Sequence, residues 1–172
     1  MNKNICELIE NKIIVDDSTL KGTLVEKGFG ESKSRELILD LYEGTFLLLK
    51  EKISITKNNK KLNPKELLKI GQEYEKNFYS KLVVYSDLRE NGYQIKTGLK
   101  FGFDFRVYPK GKKMGSAHSE FGLNVYKESE KLSMTQISRI TRLAGNIHIK
   151  AIAAVIDNEN SINYYQFGRK LF

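Results

Sequence analysis

The sequence predicts an α+β protein built as two successive units, and three observations carry that prediction. Short β-branched runs near the N-terminus are broken by Asp, Gly and Ser; "NPKELLKI" and "SMTQISRI" open with helix-capping signatures; and beyond Gly92 apolar residues alternate along extended stretches. A small N-terminal α+β domain is expected over residues 1–82 and a second domain over 83–172.

The stretch "KIIVDDSTLKGTLVEKGFGE" reads as short strands joined by tight turns. In "SKSRELILDLYEGTFLLLKEKI" the recurrence of Leu37, Leu39 and Tyr42 among charges predicts a helix from Ser34 to Leu41, and the apolar run after Gly44 fits helix or strand. Asn63 as N-cap, Pro64 at the first helical position and Glu66 in the capping-box position predict a helix start. "YSKLVVYSDLRENGYQ" reads as a further helix with Leu82, Val83, Tyr85 and Leu88 apolar and Gly92 as a left-handed cap.

The second unit opens with Phe101, Phe103, Phe105 and Val107 on one side of a strand and Gly102, Asp104, Arg106 and Tyr108 on the other. "EFGLNVYK" is a second alternating strand. Ser133 with Gln136 forms a capping box for an amphipathic helix that buries Ile137, Ile140 and Ala144, projects Arg139 and Arg142 elsewhere, and ends at Gly145. "IKAIAAVID" is apolar on both faces, as a central strand would be, and "INYYQFGRKLF" is a last, exposed strand.

Composition narrows the function. The 172 residues are 40% hydrophobic, enough for a real core, and 29 Lys+Arg against 21 Asp+Glu give a net charge of +8, which suits a polyanion. A lone cysteine, Cys6, excludes an intrachain disulfide and any cysteine-cluster metal site. No run approaches the roughly 18 apolar residues of a membrane span, and "MNKNICELIENK" lacks a long apolar core, so a cytoplasmic, membrane-free location is expected. Two histidines without HxxxH, CxxC or clustered carboxylates argue against a catalytic transition metal, and "GFG" and "FGFDF" lack the context of a phosphate loop, so no cofactor is expected.

Tyr108 and His118 stand at the two ends of "YPKGKKMGSAH", and Lys150 stands at the mouth of "AIAAVI". Together they match the needs of metal-free RNA cleavage: a base for the attacking 2′-OH, an acid for the leaving 5′-oxygen, and a cation for the charge on phosphorus. Each also has an ordinary role. Tyr108 fits strand packing, His118 a solvated loop, Lys150 a side chain reaching out to water, "PKGKKMG" a soluble hairpin loop, and Arg139 and Arg142 a solvated helix face; periodicity leaves both accounts open. His148, two residues before Lys150, is expected on the same side of that strand, lining the same pocket or covering its edge.

The run "YSKLVVYSDLRENGYQIKTGLKFGFDFRVYPKG", with "AHSEFGLNV" and "RLAGNIHIKAIAAVID", closely resembles the archaeal tRNA-splicing endonuclease (tRNA-intron lyase) family, across essentially the whole C-terminal half. The resemblance implies a C-terminal α/β nuclease domain with a mixed sheet flanked by helices. It implies metal-independent excision of introns from precursor tRNA at a bulge-helix-bulge fold, leaving 2′,3′-cyclic phosphate and 5′-hydroxyl ends. By the same resemblance Tyr108 in "FRVYP" is the base, His118 in "AHS" the acid and Lys150 the transition-state cation. Arg142 and Arg169 would sandwich a bulged base, with Arg139 as the alternative to Arg142. The chain length resembles the homotetrameric branch, in which Asp157 and Glu159 of "DNENS" would belong to the loop inserted into a neighbouring subunit. A noncatalytic structural or RNA-binding subunit would need only the positive surface, whereas this chain keeps all three positions. An assembly module rests on the aromatic strand "NYYQF" alone.

Overall fold

The computed structural model describes residues 4–111 and 118–170, and the chain divides into two compact units, Met1–Leu82 and Val83–Phe172. Both contain helices and a mixed sheet, so the α+β expectation is borne out. No described helix is long and apolar enough to cross a membrane.

In the first unit, β1 (Ile5–Ile9), β2 (Lys12–Val15), β3 (Glu31–Lys33), β4 (Glu36–Leu39), β5 (Ser54–Lys57) and β6 (Lys60–Leu62) form one sheet in the order β3-β4-β2-β1-β5-β6. Helices α1 (Ser18–Glu26), α2 (Leu41–Leu49) and α3 (Pro64–Tyr74) complete it. Burial alternates along the strands, with Ile13, Val15, Leu37 and Leu39 inside, each contributing about 1.5–3 kcal/mol of apolar burial. The buried Glu43 is satisfied rather than stranded: its carboxylate accepts from the backbone N–H groups of Gly30 and Asp40 at 2.9 and 3.0 Å.

The second unit comprises β7 (Gln94–Thr97), β8 (Phe105–Tyr108), β9 (Phe121–Lys127), α5 (Met134–Asn146), β10 (Lys150–Ile156) and β11 (Ile162–Phe167), and the division from the first unit falls within α4 (Phe78–Glu90). The strand order is β11-β10-β9-β8-β7, with β9 and β10 parallel and the other described pairs antiparallel. Parallel neighbours need a crossover, and α5 supplies it. Ile140 and Ala144 of α5 pack with Phe103 and Ala151 into one cluster. The Phe103 ring lies directly on β9, where a Cβ added to Gly122 would come within 2.8 Å of three ring carbons.

The capping boxes at Asn63/Glu66 and Ser133/Gln136 form as expected. Gly92 adopts φ +85° just past α4. The apolar run after Gly44 is helical, within α2.

Four expectations are corrected. Residues 18–26 form a helix rather than strands and turns, because the Asp17 carboxylate caps it through Leu20 N–H and Leu20 and Leu24 bury one helical face. The segment 34–41 is not a helix: Glu36–Leu39 is a strand, since Leu37 and Leu39 obey a period of two, and the helix starts only at Leu41 behind the Asp40/Glu43 capping box. The aromatic strand is shorter than its alternation implied, for Leu99–Phe101 is a 3-10 turn that leaves Phe101 39% exposed. His148 precedes β10 in a left-handed conformation, φ 55°, so strand alternation does not place it beside Lys150.

Candidate active site

The topology explains how residues distant in sequence reach one end of the second sheet. β8 runs antiparallel to β9, so its last residue, Tyr108, arrives where β9 begins, and Glu120 N–H donates to the Val107 carbonyl at 2.9 Å. β10 runs parallel to β9, so its first residue starts there too, and Lys150 N–H donates to the Glu120 carbonyl at 2.9 Å. One strand end and two strand starts therefore meet, which alternation within any one strand cannot reveal.

A cleft of about 500 Å³ opens at this corner. Arg106 and Tyr108 of β8, His118 and Ser119 of the loop before β9, and His148 and Ile149 of the turn before β10 line it. Tyr108 and His118 thus share one cleft, which suits a base and an acid acting on neighbouring oxygens. Lys150 does not line it. Its ammonium lies 3.2 Å from the Glu120 carboxylate and 5.4 Å from the Phe121 ring centroid, at the adjoining strand starts. Residues 112–117 of the basic loop lie outside the described residues.

The other candidate residues stand apart from the cleft lining. Arg142 is exposed on α5, Arg139 is exposed one turn earlier, and Arg169 is exposed beyond β11. Asp157 shapes its own turn, between β10 and β11, where one of its carboxylate oxygens accepts from the backbone N–H groups of Glu159 and Ser161, both at 2.8 Å. Glu159 is exposed in that turn. Arg106 and Glu120 were not singled out by sequence reasoning. The signal for Arg106 was its place two residues before Tyr108 on one strand face; no comparable signal marked Glu120, whose role follows from strand register.

A second cavity, of about 360 Å³, lies elsewhere on the unit, against Leu88, Val107, Leu123 and Ile152. At its rim the Tyr164 hydroxyl donates to Asp87 Oδ2 at 2.6 Å. Burial, reinforced by that bond and by the Asp87 charge, pushes the Tyr164 hydroxyl far above the usual tyrosine range, so it stays neutral.

The chain is thus of a two-unit α+β class whose second sheet brings a tyrosine and a histidine onto one cleft at its end, and comparison with known proteins narrows it. Residues 78–164 match the family described as tRNA intron endonuclease, catalytic C-terminal domain, and residues 5–68 match tRNA intron endonuclease, N-terminal domain. The chain is 34% identical over 151 residues to the tRNA-splicing endonuclease of Thermococcus gammatolerans, covering 88% of each chain. It is 35% identical over 140 residues to that of Pyrococcus abyssi, covering 81% of this chain and 80% of the relative. It is 32% identical over 163 residues to that of Methanococcus maripaludis, covering 94% and 92%. The chain belongs to the tRNA intron endonuclease family.

Proposed function

We propose that the protein is a tRNA-splicing endonuclease, a tRNA-intron lyase that cuts precursor tRNA at the intron borders of a bulge-helix-bulge fold without a metal ion. The single observation that carries the reading is the joint position of Tyr108 and His118 on one cleft, in a chain of this family. Tyr108 takes the proton of the ribose 2′-OH, and the freed oxygen attacks the adjacent phosphorus. His118 gives a proton to the departing 5′-oxygen. The P–O5′ bond breaks as the O2′–P bond forms, leaving a 2′,3′-cyclic phosphate and a 5′-hydroxyl. Lys150 stabilises the charge that develops on the non-bridging oxygens, which requires its ammonium to leave Glu120 or to reach the phosphate from that pairing.

The net charge of +8 supplies the sequence-independent attraction to the RNA backbone. Arg142 and Arg169, with Arg139 as the alternative to the first, stack on a bulged base, which guanidinium planes do well with unpaired nucleotides. The working form is a homotetramer in the cytoplasm, with the Asp157–Glu159 turn at a subunit contact.

The test is cleavage of a labelled bulge-helix-bulge RNA by the full chain in EDTA, beside His118→Ala. Cutting by the wild type alone, with cyclic-phosphate ends, is the expected result. Tight binding with no cutting by either protein would make the chain a noncatalytic subunit and overturn the reading.

A further inference from the structure

Two groups in the cleft have no part in the proton transfers. The first is Arg106, whose guanidinium carbon lies 4.5 Å from the Phe101 ring centroid and 5.8 Å from that of Tyr108. Its Nε is buried and meets no hydrogen-bond acceptor among the described residues. A buried N–H that meets no acceptor is unfavourable, and two ring faces compensate it only in part. A cation in this state beside a cleft can be completed by an anion that a ligand brings.

The second is His148. Its N–H donates to the Gly145 carbonyl at 3.2 Å, and Ile149 N–H donates to the Ala144 carbonyl at 3.0 Å. With Ile147 as the C-cap of α5, these two bonds make a complete Schellman motif with His148 at the left-handed position, where glycine is the ordinary residue. An imidazole at a backbone position that favours glycine brings no gain to the turn itself. It is exposed, and it lines the same cleft as Arg106.

We propose that Arg106 and His148 form a second phosphate-binding subsite, which takes an RNA backbone phosphate next to the one being cut. The inference rests on the cleft being the endonuclease site. The planar guanidinium fork matches two phosphate oxygens, and the imidazole adds a donor from a separate element, the α5–β10 turn. Among the described residues lining the cleft Arg106 is the permanent cation, and Lys150 faces Glu120. The subsite therefore fixes where the chain lies and leaves the proton transfers to Tyr108 and His118.

The experiment compares wild type, Arg106→Gln, Arg106→Lys and His148→Gly as full chains on a bulge-helix-bulge RNA. Binding is read on a version with 2′-deoxy sugars at the cuts, and cleavage on the all-ribose version. Arg106→Gln is expected to weaken binding about tenfold and to reduce the slope of log K against log salt by about one, the signature of one lost phosphate contact. Arg106→Lys should recover most of the slope. His148→Gly should weaken binding several-fold while its melting temperature stays level or rises, a combination that a purely structural histidine would not produce. Wild-type affinity and slope in both Arg106→Gln and His148→Gly, with wild-type cleavage intact, would overturn the subsite alone. A wild-type protein that binds but never cuts would instead remove the endonuclease reading on which the subsite rests. If Arg106→Gln fails to fold, Arg106→Lys and His148→Gly decide the matter.

Discussion

The Lys150 ammonium lies 3.2 Å from the Glu120 carboxylate, at the point where parallel pairing brings the starts of β9 and β10 together. Both side chains are open to solvent, 54% and 40%, so the pair adds no more than about 1 kcal/mol to stability. Its consequence is for charge. A carboxylate beside the path of a phosphate is repulsive by about 1 kcal/mol at contact distance in water. Glu120→Gln is therefore expected to tighten RNA binding by roughly fivefold with little change in melting temperature. Weaker binding in a titration would show instead that Glu120 holds Lys150 where the RNA needs it.

Tyr108→Phe, His118→Ala and Lys150→Ala should each slow single-turnover cleavage by about 10²- to 10⁴-fold, the range for loss of one proton-transfer or charge-stabilising group. RNA affinity should stay within a few-fold of wild type. Wild-type rates in all three would remove the assignment.

Stability at alkaline pH should depend on Tyr164. Its folded pKa is raised above the unfolded value near 10, so the folded state holds its proton more tightly than the unfolded chain. The stabilisation is fully present below about pH 10 and is lost as pH rises beyond it. Tyr164→Phe should cost about 1 kcal/mol at neutral pH, in keeping with one partly exposed hydrogen bond to Asp87, and should flatten the alkaline decline. Urea melts at pH 7 and pH 10.5 compare the two.

Cys6 should be chemically silent in the native protein. Burial, with smaller contributions from Asp16 and Asp17, pushes its thiol up to about 12, and the side chain is only 2% exposed. At pH 8 an aromatic disulfide reagent is expected to react with the urea-unfolded chain within minutes and with the native chain only at the rate at which the first unit opens. Immediate labelling of native protein would contradict the packing of β1.

Two glycines separate packing from propensity. Gly122→Ala places a methyl 2.8 Å from the Phe103 ring and should destabilise by about 1–3 kcal/mol through overpacking. Gly145→Ala meets nothing within 4 Å inside α5 and should stabilise by about 0.5–1 kcal/mol. Thermal melts of the two variants should move in opposite directions.

The sequence by itself determined the features that depend on neighbours three or four residues away. The capping boxes at Asn63 and Ser133 form from side chains within one turn, and β10 and the exposed β11 are legible because a strand covered on both faces reads as one continuous apolar run and an edge strand does not. It misled where two local signals competed. Asp17 could begin a helix or end a turn, and Leu37 and Leu39 fit a strand or a helix edge until cross-strand pairing with Val15 and Ile13 decided for the strand. Matching residue types also named Tyr108, His118 and Lys150. What only the tertiary structure decided was which of them share a space: Tyr108 and His118 meet on one cleft, Lys150 turns to Glu120, and Arg106 is left between two rings. Those outcomes depend on the antiparallel register of β8 with β9 and the parallel register of β9 with β10, pairings between residues up to 29 positions apart. No pattern along a single strand encodes that register, because it is selected by which side chains the paired strands bury together, among them Ala151 of β10 against Ile140 and Ala144 of α5.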